Sequence, residues 1–338
     1  MNVIRRFLTY VALALLLSPS APAAEPIKLK LAFQTSDSSN IYKAAIKPFV
    51  DAVNAEGKGV VEIEVYFSGA LGKTPLLQWE ALGNGTADIA FVIPGQIPGR
   101  FPDSALIELP GLFRNMREAS LVFTRLVAAG AIKDFHDYYV IGAFATEPEY
   151  IHTRAAIASL DDLRGKRIRA NNPTIAATLD KLGMTGVIMP VNQAAEAISA
   201  GKIDGASVPL SPLVEYGIGR VTTYHYLLPI SSAPFALVMS RGKFDSLPQQ
   251  AQDIIRKYSG EWAAERFIAI FDAIDVPLLA QLQADARRKV IVPSQTDSIK
   301  ADAAFSIITQ EIIAKNPRLR DLLPRAQNEI AQLRLSQQ

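Results

Sequence analysis

Hydrophobic and polar positions along this chain switch between a period near two and a period near three and a half. The clearest series of switches runs from Leu163 to Val208. Lys166 to Ala170 alternates as a short strand, Asn172 and Pro173 supply an N-cap and a first-turn residue, and the helical spacing that follows ends at Gly183. A second strand is expected over Val187 to Met189, a helix from Asn192 to Gly201, and a third strand over Ile203 to Val208. Upstream, Ser159 and Asp162 predict a capped single turn closed by Gly165. Strand, helix, strand, helix, strand in that order makes a parallel sheet with right-handed crossovers. Such sheets bind ligands beyond the carboxyl ends of their strands.

The first half of the chain has the same plan. Ile27 to Phe33, Val60 to Phe67 and Asp88 to Ile93 read as strands, with helices over Ile41 to Asn54 and Leu76 to Leu82. The entries to the third strands match as well, Gly85-Thr86-Ala87-Asp88-Ile89-Ala90 beside Gly201-Lys202-Ile203-Asp204-Gly205-Ala206. Two similar α/β halves follow. Leu121 to Ile132 is expected as a helix, Tyr139 to Thr153 as one long strand despite Pro148, and Ser232 to Ser240 as a returning strand. Ser246 and Gln249 predict a capping box, and from Pro248 a helical pattern continues to about Lys289 with an interruption near Pro277. Trp262, Phe267, Ile270 and Phe271 share one face of it, the spacing of a core stripe. Asp297 to Leu335 is helical with a break at Pro317, and is expected to pack on the first half.

The start of the chain fixes a compartment. Arg5 and Arg6, the apolar run Leu8 to Leu17 and the small residues of Ala21-Pro22-Ala23 predict a secretory signal peptide over residues 1–23, its core too short to span a membrane. The arginine pair before Phe7 and Leu8 resembles a twin-arginine signal with imperfect spacing, and the general secretory route is the expectation. Losing Arg5 and Arg6 with this leader brings 35 basic residues to 33, against 33 acidic ones. A neutral mature chain gives no reason to expect a nucleic-acid partner. Its 338 residues, 49% of them hydrophobic, suffice for two cores, and it has no cysteine. Disulfides, thiolate metal sites and a lipid-modified cysteine anchor are thereby excluded, so a freely soluble periplasmic product is expected.

Enzyme motifs appear only as near misses. Gly72-Lys73-Thr74 ends like a phosphate loop, but Phe67 stands where the loop needs glycine. Gly205-Ala206-Ser207-Val208-Pro209 resembles a nucleophile elbow until Pro209 replaces its second glycine. His136, His152 and His225 are far apart with no helical pairing, so no metal site is expected and each reads as a surface or hydrogen-bonded histidine. Binding residues are the better candidates, because strand ends from both halves should face one cleft. They are Phe33, Gln34, Pro94, Gln96, Arg169, Asn171, Ser207, Val208 and Phe235. Phe33 and Phe235 serve equally as core residues, and Gln34, Gln96 and Asn171 equally as solvated loop residues. A guanidinium at the end of the Lys166–Ala170 strand, facing a helix start, suits bidentate capture of a carboxylate; Arg164, Lys166 and Arg167 read as ordinary surface cations.

The LRGKRIR run from Leu163 to Arg169, the AGKIDGA run from Ala200 to Ala206 with Pro209 after it, and the LVMSRGKFDSLP run from Leu237 to Pro248 resemble the substrate-binding proteins of TRAP transporters, the tripartite ATP-independent periplasmic uptake systems. The resemblance covers the mature chain. Gly69 to Gly72 and the run Glu108 to Phe113 are similar to landmarks of that family's first lobe. The resemblance implies a two-lobed periplasmic-binding-protein fold, two α/β domains joined by hinge strands and a long helix, with the ligand between them. Lobe one is then 24–151 with 236–338, and lobe two 152–235. It also implies that Arg169 forms the salt bridge to the ligand carboxylate.

This chain departs from the family pattern at two places. Val208 stands where many members have asparagine, and Glu147 and Glu149 where some have a second basic residue on the hinge strand. Glu149 therefore joins the candidate site. A buried glutamate would repel a dianion, which favours a monocarboxylate, hydroxylated or aromatic, over a dicarboxylate. The function expected is an extracytoplasmic receptor that hands a small organic acid to a TRAP membrane permease, as a monomer without cofactor, metal or enzymatic activity. The alternatives are a receptor for an ATP-driven transporter or a sensor, and a secreted enzyme.

Overall fold

The structure, a computed structural model, describes residues 25–336 apart from Pro98. The predicted signal peptide lies outside the described residues. The strands are β1 (Ile27–Ala32), β2 (Val61–Tyr66), β3 (Ile89–Val92), β4 (Tyr138–Ala145), β5 (Tyr150–Thr153), β6 (Arg167–Ala170), β7 (Thr185–Ile188), β8 (Gly205–Val208), β9 (Tyr224–Tyr226), β10 (Pro234–Ser240) and β11 (Lys289–Ile291). They form two mixed sheets, one ordered β2-β1-β3-β10-β4 and the other β11-β9-β5-β8-β6-β7.

Each sheet has a parallel βαβαβ unit at its heart. In the first, β1 pairs in parallel with β2 and β3, through helices α1 (Lys47–Glu56) and α2 (Pro75–Gly83). Lys28 and Lys30 of β1 face out while Leu29 and Leu31 are buried; β3, covered on both faces, is apolar throughout. Helix α3 (Met116–Ala128), capped by Asn115, follows with β4. In the second sheet, β6, β7 and β8 are parallel, connected by α4 (Pro173–Lys181) and α5 (Ala194–Ser199), and α6 (Leu210–Glu215) leaves β8. Helix α4 starts as its sequence predicts, since Asn172 Oδ1 accepts the Ile175 N–H at 2.9 Å and Pro173 fills the first turn.

The expected single strand from Tyr139 to Thr153 is divided. β4 belongs to the first sheet and β5 to the second, with Thr146 to Glu149 crossing between them, because Pro148 has no N–H to continue a ladder. The returning segment crosses beside it. Thr146 donates its N–H to Ala233 at 3.0 Å, Glu149 to Ser231 at 2.9 Å, and Ile230 returns one to Glu149 at 3.0 Å. These bonds tie the two hinge segments to each other.

Beyond β10 come α7 (Arg241–Ser246), α8 (Gln249–Lys257) and α9 (Glu261–Ala284). The capping box does not form: Ser246 Oγ donates to the Lys243 carbonyl at 2.7 Å, and Pro248 precedes α8 without a side-chain cap. The helical run breaks at Gly260, where φ is +65°, and continues through Pro277. Gly260 precedes α9 in a backbone conformation of positive φ and negative ψ that glycine takes without steric cost, whereas Pro277 removes only one intrahelical bond. Helix α9 joins the lobes physically. Phe267, Ile268 and Phe271 pack in the first core, while Leu278, Leu279 and Leu282 pack with Ile198 and Leu213 in a third, smaller core of the second lobe.

Residues 236–338 do not all lie with the first sheet. β11 pairs in parallel with β9, and Ala301, Ala304 and Phe305 of α10 (Gln295–Lys315) sit in the second core with Ile175 and Leu179. The end of α10, at Ile312 and Ile313, and then α11 (Leu319–Leu335) return to the first core, where α11 buries Leu319, Leu322 and Leu333. A three-residue strand such as β11 has too few positions to display a period, so its sheet is chosen by pairing.

Candidate functional site

A cavity of about 740 Å³ lies between the sheets. The first sheet contributes Phe33, Gln34, Phe91, Ile93 and Phe235, and a turn after β3 adds Gly95 and Gln96. The second contributes Arg169, Asn171, Val208 and Tyr216, and the hinge contributes Glu147 and Glu149. Phe267, Phe271 and Asp275 of α9 complete it. Pro94 is buried in the turn without lining the cavity, and Ser207 is wholly buried on the opposite face of β8 from Val208. Pro94 sets that turn instead. Ser207 serves the site from behind: its carbonyl accepts from Arg169, and its hydroxyl, which has no hydrogen-bond partner, lies near enough to Glu149 to draw its pKa down.

Arg169 is the one cationic side chain lining this cavity among the described residues. It is 4% exposed, and its guanidinium is oriented by backbone: Nε donates to Met189 O at 3.0 Å and Nη1 to Ser207 O at 3.1 Å, while Nη2 reaches Asn171 Oδ1 at 3.3 Å. A guanidinium has five N–H groups, so one on each terminal nitrogen remains uncommitted. Burial pulls its pKa down and Glu149 holds it up, and arginine stays charged at neutral pH. The neighbouring Arg167 is engaged with Asp204 and Gly201 at the opposite strand end.

Polar contacts cross between the lobes around the cavity, among them Asn40 Nδ2 to Glu215 Oε2 at 3.2 Å. Gln96 Nε2 donates to Asn171 Oδ1 at 3.3 Å, Asn172 Nδ2 to Glu108 Oε1 at 2.9 Å, and Asn40 Nδ2 to Ser211 Oγ at 2.9 Å. The apolar wall is aromatic. Phe33 and Phe91 meet edge to face at 5.7 Å, Phe91 and Phe235 at 5.3 Å, and Phe267 and Phe271 at 4.9 Å between ring centroids.

Carboxylates are numerous here. Burial pushes Glu149 up to about 7 against the pull of Arg169 and the Ser207 hydroxyl, Glu108 to about 8 with Glu149 adding to it, and Asp275 to about 7 with Glu147 and Asp272 adding to it. Glu147, raised by burial, accepts the Met116 N–H at 2.8 Å and the Tyr150 hydroxyl at 3.1 Å. Glu149 Oε2 and Asp275 Oδ1 have no hydrogen-bond partner.

Sequence reasoning missed Tyr216, Asp275, Phe91 and the Met189 carbonyl. Asp275 had a signal, since it lies four residues beyond Phe271 and so on the same helix face. It also missed the histidine pair. His152 and His225 are register partners on β5 and β9, with Nδ1 to Nδ1 at 2.9 Å. His152 Nε2 lies 3.1 Å from Val208 O and must donate, so His152 Nδ1 accepts from His225, whose Nε2 accepts from Arg288 at 3.3 Å. Both rings are thus neutral. Burial holds them down, His152 to about 3 with His225 adding, and His225 to about 4 with Arg288 adding. No cluster suited to a metal ion exists among the described residues.

The profile of the bacterial extracellular solute-binding protein, family 7, matches residues 31–316. The chain belongs to that family. Its architecture is that of TRAP solute-binding proteins. A marine metagenome TRAP solute-binding protein specific for aromatic acid ligands, solved with 3-hydroxybenzoate, superposes with a TM-score of 0.82 at 27% identity, covering 91% of this chain and 99% of that one. A TRAP solute-binding protein from Rhodoferax ferrireducens T118, solved with copurified benzoate, gives 0.81 at 24% identity over 90% and 98%. The 2,3-diketo-L-gulonate-binding periplasmic protein YiaO of Escherichia coli is 24% identical over 242 residues, 70% of this chain and 73% of its own. The family consists of receptors that bind small organic acids and work with membrane permease components.

Proposed function

We propose that this receptor binds a small monocarboxylate with an aromatic or hydroxylated body and delivers it to a TRAP membrane permease. The observation that carries the reading is Arg169, buried, held by two backbone carbonyls and left with one N–H on each terminal nitrogen. A carboxylate taking both replaces water with a charge-assisted fork in a low-dielectric site. The rings of Phe33, Phe91 and Phe235 offer a flat apolar partner to an aromatic body. The similar aromatic-acid receptor supports that choice. Glu147, Glu149 and Asp275 oppose a second ligand carboxylate. The ligand bridges the lobes and shifts the population towards the closed state about the crossing segments. The mature protein acts in the periplasm as a soluble monomer and performs no chemistry on its ligand.

Calorimetric titration of the mature protein with 3-hydroxybenzoate, benzoate and succinate tests this reading. The monocarboxylates are expected to bind and Arg169→Ala to abolish their binding, with succinate weaker. Tighter binding of succinate, or binding that survives the substitution, would contradict it.

A further inference from the structure

We propose that Glu149 is a second recognition point in the cavity, taking the ammonium group of a ligand whose carboxylate rests on Arg169, so that the receptor's solutes are amino acids. This rests on the carboxylate reading and narrows it. Glu149 is 3% exposed, lines the cavity, and its Oε2 has no partner; the Ser207 hydroxyl beside it is unpartnered too and only draws its pKa down. A buried carboxylate oxygen left unpaired carries a desolvation cost that a donor from the ligand would remove. Its backbone is fixed, because its N–H donates to Ser231 and its carbonyl accepts from Ile230.

Register places it opposite the guanidinium. β5 and β6 flank β8, with Tyr150 beside Val208 and Arg169 beside Ala206, so Glu149 and Arg169 approach the carboxyl end of β8 from its two sides. No ion pair joins them among the described residues, although the charge of each acts on the other. The surrounding charge agrees. Facing Glu149 are Arg169 from β6 and Glu108 from the loop before α3. Glu147 lies on the same hinge, Asp272 and Asp275 on α9, and Glu215 and Tyr216 at the end of α6. One guanidinium among these carboxylates suits a ligand with a cationic group better than a simple anion. Asp275 Oδ1, also unpaired, strengthens the negative field.

Phenylacetate, mandelate and phenylglycine differ only in carrying hydrogen, hydroxyl or ammonium on the carbon next to the carboxylate. Calorimetry at pH 8 is expected to show phenylglycine tighter than both, by about tenfold or more. Glu149→Gln, which keeps shape and removes charge, should erase that preference while leaving phenylacetate bound, and Asp275→Asn should reduce it. Lowering pH through about 7 protonates Glu149, so phenylglycine should weaken and phenylacetate strengthen, and Glu149→Gln should make both profiles shallower, leaving the part that Asp275 contributes. Phenylacetate binding through Arg169 with phenylglycine no tighter would overturn the ammonium site alone. So would a preference for phenylglycine that survives Glu149→Gln. If neither these acids nor propionate, lactate and alanine bind, the carboxylate reading falls and this inference with it.

Discussion

Arg169 and Gln96 share one acceptor across the cleft. Asn171 Oδ1 receives Arg169 Nη2 and Gln96 Nε2, each at 3.3 Å, so the ligand-anchoring cation and the lobe-to-lobe contact meet at a single oxygen. Both bonds are long, and a ligand carboxylate offers Arg169 a stronger acceptor. Gln96→Ala should weaken ligand binding by about threefold to tenfold through easier opening, with most of the change in the dissociation rate. Stopped-flow kinetics checks this; an unchanged dissociation rate would show that the contact has no part in holding the lobes.

Arg169→Lys is not a conservative change here. A lysine ammonium cannot reach the Met189 and Ser207 carbonyls and still present a two-pronged fork, so affinity should fall by about a hundredfold while the fold survives. Calorimetry together with a thermal melt separates the two effects. Near-normal affinity would mean that charge alone holds the ligand.

Asn172 has a double task, capping α4 and donating to Glu108. Asn172→Ala removes the cap and leaves a buried carboxyl oxygen without its donor, a loss of about 1–3 kcal/mol in urea denaturation. A loss below about 0.5 kcal/mol would contradict both contributions.

The pKa of Glu108 is raised from its ordinary 4.5 to about 8, first by burial and then by Glu149. The folded state therefore binds its proton more tightly than the unfolded chain does. This contribution to stability is complete below pH 4.5 and disappears as pH rises through 8. Glu108→Gln cannot ionise, so its melting temperature should gain on the wild type between about pH 5 and 9. Parallel curves would show that Glu108 is not held protonated.

For His152 and His225 the sign is opposite. Their pKa values are depressed from 6.5 to about 3 and about 4, so their contribution is present above pH 6.5 and lost as pH falls towards 4. Nitrogen-15 imidazole spectra at about pH 5 should show two neutral rings, with the proton on Nε2 of His152 and Nδ1 of His225. Imidazolium signals at that pH would break the hydrogen-bond chain from Arg288 to Val208.

What was legible in the sequence was mostly local. The Asn172-Pro173 start of α4 is written in adjacent residues, and Arg169 falls in the cavity because a strand end must face it. What was hidden depends on pairing between distant segments. His152 and His225 are 73 residues apart and meet only because β5 and β9 are neighbours. β11 is too short to reveal its sheet, and Asp275 is concealed in a helix whose apolar stripe reads as core. Ser207 and Val208 differ only in the side of β8 that they face, a choice set by the sheet's register.

Recognition of a carboxylate by Arg169 underlies every binding property described above, and thermal shift against acids paired with their carboxamides isolates it. A micromolar ligand at millimolar concentration should stabilise the folded protein by about 4 kcal/mol. An acid is expected to raise the melting temperature, its uncharged amide to leave it unchanged, and Arg169→Ala to respond to neither. An amide as effective as its acid, or an acid that stabilises Arg169→Ala as much as the wild type, would show that the guanidinium does not hold the ligand.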